Sequence, residues 1–393
     1  MRPQPPHETR TERGSPRPTD SSARPSPGRR RRAARTAGAL AAAAALFLGG
    51  IQPASASLLG SLAGGVGLGV GEDSVGLEVE VDLGPQEDRG SVSAVVAAEE
   101  AAAAVAYWTP ERMRLAQTAD ALVADKIPST TLLNLSVELG QPTRIRGNTP
   151  VLEDSSGAGG APEAETQSDG TTTEPASAGA AETPVPHIGK VFFTMNGSDY
   201  VCSGNAVASA NESTVATAGH CLHDGPGSFA SRFVFVPAYQ NGSTPYGKWA
   251  ATELHTTPQW AAEGDLSYDG GFAVVAPQEG ASLSDTVGAS GLAFNQARGQ
   301  TYTAYGYPAG APFDGETLQS CHGTATDDPH GQTASQGIPC DMTGGSSGGP
   351  WFLGDGSGGY QNSVNSFRYS DRETMFGPYF GSDIQRAYQQ AER

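Results

Sequence analysis

Lysine is nearly absent: the 393 residues contain only Lys126, Lys190 and Lys248, against a formal net charge of −18. An acidic surface repels phosphate backbones and anionic lipid, so nucleic acid is excluded as a partner class. Long apolar runs are also scarce. Residues 37–51 form one, but they fall short of the about 20 residues a membrane-spanning helix needs, and no stable membrane anchor is expected. Cysteine is limited to four residues, with no C-x-x-C pair anywhere, which argues against a zinc site. Large apolar and aromatic residues are thin before residue 187, so that half of the chain has little to bury.

What is present begins with arginine. Arg29–Arg32 and Arg35 lead into the apolar 37–51 run, and Ala54-Ser55-Ala56 follows as a small-x-small cleavage pattern. Basic segment, short apolar segment and small-residue site together describe a secretory signal over 1–56, hence an extracellular protein. Residues 57–151 follow. Within them 91–125 is alanine-rich and reads as helix, with Thr109-Pro110-Glu111 as a start signal and Met113, Leu115 and Leu122 as its apolar face. One or two strands are expected in 127–148. Residues 152–186 are Gly, Ala, Ser, Thr, Glu, Asp and Pro, an acidic flexible linker. A folded stretch ahead of such a linker suggests a removable pro-region.

Beyond residue 186 short apolar or alternating runs recur at 190–195, 200–207, 213–218, 233–238, 272–276, 301–307, 350–353 and 363–369, separated by Gly, Pro, Asn and Asp. That pattern predicts an all-β barrel or sandwich over 187–393, closed by a C-terminal helix from Ser382. All four cysteines lie here, and in an oxidising compartment they imply two disulfides, for which three pairings exist.

The chemistry concentrates in two places. Thr343-Gly344-Gly345-Ser346-Ser347-Gly348-Gly349-Pro350 is a backbone able to bend sharply and aim N–H groups inward around a serine. A serine hydroxyl becomes a nucleophile only beside a base, an orienting acid and donors for the developing oxyanion. Ser347 also stands in a G-x-S-x-G frame, but the α/β-hydrolase order of serine, acid, histidine fails because the last histidine is His330. The reverse order, histidine then aspartate then serine, fits.

Thr217-Ala218-Gly219-His220-Cys221 resembles the histidine motif of trypsin-like serine peptidases, and the Gly345 to Pro350 stretch resembles their serine motif. The resemblance covers 187–393 and is nearest to secreted bacterial glutamyl-endopeptidase-like enzymes. It implies two six-stranded antiparallel β-barrels of the chymotrypsin type and a triad of His220, Asp269 and Ser347, with Asp265 as the rival acid. It also implies an oxyanion hole from the N–H groups of Gly345 and Ser347, and disulfides Cys202–Cys221 and Cys321–Cys340. Asp341, Thr343, Ser366 and Arg368 fall where the family lines its substrate pocket. Neither metal nor cofactor is implied, and the partners are protein or peptide substrates and the chain's own pro-region, around a monomer. Ser346 stands where animal members carry an aspartate, so activation by a new N-terminal ion pair is not expected. The alternative is a silent binding module on the same barrel; the retained triad residues argue against it.

Overall fold

The computed structural model describes residues 90–128, 137–150, 180–354, 356–370 and 373–393, all within one compact unit spanning Glu80–Arg393. The 1–56 signal, most of the 152–186 linker and much of 57–151 lie outside the described residues. Among the described residues no helix is long and apolar enough to cross a membrane.

The first barrel begins with a hairpin that the sequence encodes directly. Strands Ile188–Met195 and Ser198–Val207 pair antiparallel around Asn196–Gly197, whose φ values of 50° and 80° suit a two-residue turn. Strands Thr214–Thr217, Gly271–Val275, Trp249–Thr256 and Ser231–Pro237 complete the ring in that order. It closes where Val234 and Phe235 pair with Ala250 and Trp249. All eight residues of Ile188–Met195 are buried. One face fills the barrel with Val191, Phe193 and Met195; the other is covered by helix Ala98–Tyr107 and Trp108. A strand buried on both faces reads as a continuous apolar run instead of an alternation.

In the second half, strands Gly291–Phe294, Tyr360–Val364, Pro350–Leu353, Thr301–Gly306 and Gln319–Thr324 form one sheet. Thr326–Asp327, Gln336–Pro339 and Thr374–Gly377 form a second, which meets the first where Phe367 pairs with Phe376; among the described residues no backbone pairing joins Gln319–Thr324 to Gln336–Pro339 to close the ring. The Cys321–Cys340 disulfide joins them, and Pro339, with no N–H to donate, packs against Gly323 at the junction. Helix Ser382–Ala391 returns Ile384, Ala387 and Tyr388 to the core of the first barrel.

The stretch before the linker is more divided than a single helix. Val92–Val95 adds antiparallel to Trp249–Thr256, helix Ala98–Tyr107 follows, and helix Pro110–Leu115 starts at Thr109, whose Oγ1 accepts from Arg112 N–H at 3.3 Å. Met113 is buried, but Leu115 is 74% exposed. Two residues apart on a helix of six, they point to different sides. Further on, Thr143–Ile145 and Ala180–Ala181 extend the two edges of the second large sheet.

Lys190 is buried inside this frame. Its Nζ donates to Gly315 O at 2.8 Å and lies 4.4 Å from the Tyr239 ring, while burial lowers its pKa to about 8. The folded state therefore sheds this proton before the unfolded chain does, so the stability attached to Lys190 rises from pH 8 toward 10.5. Relative to Lys190→Met, the wild type should gain about 2 kcal/mol between pH 7 and 10 in urea unfolding. A pH-independent difference contradicts the assignment.

Candidate active site

Strand Thr214–Thr217 delivers His220 on a short turn, Gly219–Cys221, tied to Ser198–Val207 by the Cys202–Cys221 disulfide. Gly219 is required by proximity: a Cβ there would sit 2.9 Å from Asp269 Oδ1 and 2.9 Å from Trp260 Cδ1. Without that side chain, the His220 backbone N–H donates to Asp269 Oδ1 at 2.7 Å and its Nδ1 bonds Oδ2 at 2.7 Å. The carboxylate thus fixes both the backbone and the ring of one histidine. It holds the proton on Nδ1, leaving Nε2 as the basic nitrogen.

Asp269 is fully buried, so its negative charge depends on these donors and on Ser366 Oγ, which donates to Oδ2 at 2.5 Å. Its loop is held from behind, where Thr256 Oγ1 donates to Gly270 O at 3.0 Å and Thr257 Oγ1 to Tyr268 O at 2.7 Å. Asp265 does other work, accepting from Ser267 N–H at the start of turn Leu266–Tyr268.

Ser347 lies on the bend before strand Pro350–Leu353, and its carbonyl accepts from Ser203 N–H at 2.7 Å. Gly345 has φ 96°, and a Cβ there would sit 2.8 Å from Tyr307 O. In a trans peptide the C=O and N–H point opposite ways, so pinning one aims the other. Gly344 O accepts from Ala309 N–H at 2.7 Å, which turns the Gly345 N–H outward. Ser346 O accepts from Gly349 N–H at 2.9 Å and from Asn365 Nδ2 at 3.0 Å, which does the same for Ser347 N–H. Among the described residues neither N–H has a protein acceptor. His220 Nε2 is likewise buried without a hydrogen bond, so none joins it to Ser347 Oγ; catalytic hydrogen bonds often tighten only with substrate in place.

A family model described as Trypsin matches residues 176–387. The chain belongs to the trypsin family. Two solved structures cover the same half: protease Anisep from Arthrobacter nicotinovorans and the thermostable serine protease AL20 from an extremophilic microorganism. Anisep is 60% identical, with a TM-score of 0.53, over 54% of this chain and 98% of its own. AL20 is 61% identical, with a TM-score of 0.52, over 53% and 97%. Curated relatives match over shorter spans. The glutamyl endopeptidase of Bacillus licheniformis is 36% identical over 98 residues, 24% of this chain and 29% of that protein. A Bacillus subtilis protein named extracellular metalloprotease is 27% identical over 154 residues, 39% and 38%. The chain therefore spans less than two fifths of either.

Beside Ser347 opens a cavity of about 320 Å³, walled by Thr343, Ser366, Phe367, Arg368 and Met375 on the peptidase side. Asp341 is not among its walls. Arg368 is: its Nη1 donates to Asp341 O at 3.1 Å and Met342 O at 2.9 Å, tying that wall to the backbone ahead of Thr343. All four cysteines are in disulfides, so the cluster of Cys202, Cys221 and His220 offers no thiolate to a metal.

Asn365 carries no sequence signal beyond its place before Ser366, yet it is fully buried and every polar atom of its amide is used. Oδ1 accepts from Trp351 Nε1 at 2.7 Å, and Nδ2 donates to Tyr305 O and Ser346 O. It is a positioning residue for the Ser347 N–H. Asn365→Asp keeps the shape and the Trp351 bond but loses the donor. It should lower kcat about 10- to 100-fold with little change in KM, since a full oxyanion donor is worth about 10²–10³. An unchanged kcat contradicts the role.

Proposed function

We propose that this chain is a secreted serine endopeptidase, made with a leader over 1–56, a pro-region over 57–151 and a linker over 152–186 ahead of the peptidase domain at 187–393. The observation that carries the reading is the two-point grip of Asp269 on His220 beside a serine whose flanking peptide units are pinned with their N–H groups outward.

Ser347 Oγ attacks the scissile carbonyl and its proton passes to His220 Nε2. The oxygen that becomes negative is received by the N–H groups of Gly345 and Ser347. His220 then hands the proton to the departing amine, leaving an acyl-enzyme on Ser347. Water repeats the sequence, giving its proton to His220 and its oxygen to the acyl carbon; the bond to Ser347 Oγ then breaks as His220 returns that proton to it. Asp269 stabilises the imidazolium in both half-reactions without taking the proton. These steps need no group beyond the chain and water.

The cavity beside Ser347 would receive the side chain of the acyl residue. Among the described residues, the peptidase-side walls of this cavity carry no carboxylate to hold a cationic side chain. A peptide library should therefore show little cleavage after Lys or Arg; dominant cleavage there overturns the assignment of the cavity.

Ser347→Ala tests the whole reading. Peptide hydrolysis by the secreted protein should fall by about 10⁴-fold or more, as losses of a triad serine do elsewhere. Retained hydrolysis would mean that another group performs the chemistry.

A further inference from the structure

One stretch of chain, residues 92–127, covers both the outer face of the first barrel and the cleft, through contacts the hydrolytic steps do not use. Its anchor is Trp108, fully buried, 5.4 Å from Phe192 and donating Nε1–H to Arg232 O at 2.6 Å. The neighbouring Tyr107 ring has the guanidinium groups of Arg112 at 4.1 Å and Arg232 at 4.5 Å from its centre. Its hydroxyl meets both carboxylate oxygens of Asp199 at 3.0 Å. Lys248 Nζ donates to Val105 O and Trp108 O at 2.5 and 2.9 Å, placing a cation at the carbonyl end of helix Ala98–Tyr107.

From this anchor the chain enters the cleft. Gln117 and Thr118 pair in parallel with Tyr200 and Val201. Ala119 is buried in the cluster that contains Cys202 and Cys221. The Asp120 carboxylate lies against Gly344, and Val123 packs with Trp260, Leu266 and Phe367. Asp120, Val123, Ala124 and Ile127 line the cavity beside Ser347 together with the peptidase residues.

The direction of travel is the decisive feature. A substrate places its acyl side chain in the cavity, its carbonyl oxygen on the Gly345 and Ser347 N–H groups, and its leaving amine toward His220 and the neighbouring disulfide. Its chain therefore runs from the Phe367 side, past Ser347, toward Tyr200 and Val201. Residues 117–123 cross the same ground in the opposite sense, from Tyr200 and Val201 toward Phe367. A reversed chain cannot set a carbonyl on the oxyanion donors and, at the same bond, an amine on His220.

The geometry points to residues 92–127 as a tight-binding inhibitor of this enzyme's own cleft, anchored at Trp108 and lying backwards across Ser347, where it is not cut. The inference rests on the peptidase reading above. It follows that a cut in the linker alone leaves an inhibited complex, and activity appears only when the Trp108 anchor lets go.

The test uses the full-length chain carrying a recognition sequence for a site-specific protease within residues 152–179. After that cut, the wild type should keep less than a tenth of the peptidase activity shown by Trp108→Ala or by Val123→Arg, which places a charge among Trp260, Leu266 and Phe367. Mass spectrometry should find 117–127 intact in the wild type after prolonged incubation. Cleavage inside 117–127 that disappears in Ser347→Ala would overturn the reversed orientation. Full activity of the cut wild type would overturn the inhibition. Ser347 unreactive toward a fluorophosphonate in both loosened variants would instead overturn the peptidase reading, and this inference with it.

Discussion

The site depends on one buried carboxylate. Asp269 sits in the interior with both oxygens committed: one to the His220 backbone, the other to the His220 ring and Ser366. A buried charge is tolerated only when donors surround it, so the elements that supply those donors must meet at one point. The turn of Gly219–Cys221 comes from the first barrel, and Ser366 follows the Tyr360–Val364 strand of the second half. The bond between Asp269 and Ser366 thus crosses between the two halves, and the cleft lies along that line. Removing one donor would leave charge without compensation where water cannot reach.

The loop that carries Ser347 follows the same logic with neutral groups. Its peptide units are fixed by their carbonyl ends, through Ala309 on one side and Asn365 with Gly349 on the other. The N–H groups are therefore held outward before any substrate arrives, and no reorganisation is needed when charge develops. Asn365 in turn is held by Trp351, a fully buried residue of the second core. Packing far from the reacting atoms sets the direction of a hydrogen bond beside them.

Much of this was legible in the residues because short-range chemistry encodes it. The glycines around Ser347 permit its bend, whereas the Asn196–Gly197 hairpin and the close approach of Asp269 to Gly219 show only in the fold. Apolar runs marked strands Ile188–Met195, Thr301–Gly306 and Pro350–Leu353. Strand Trp249–Thr256 was not legible. Its Glu253 and His255 interrupt the pattern, and they fit a strand because Val92–Val95 lies alongside and Ser91 Oγ reaches His255. Gln319–Thr324 and Gln336–Pro339 are too polar to announce themselves and meet through a disulfide. The 91–125 region misled because alanine favours helix wherever it stands. Its actual division follows from what the first barrel leaves uncovered, which local sequence does not contain.

The most direct test of the central claim is the reaction of the secreted protein with a fluorophosphonate probe, read by peptide mass spectrometry in the wild type and in Asp269→Asn. The account predicts a label on Ser347 in the wild type, and labelling slowed by about 10³-fold or more in the variant, because a histidine held in the wrong tautomer cannot take the serine proton. A label on another residue, or equal labelling rates in the two proteins, would contradict it.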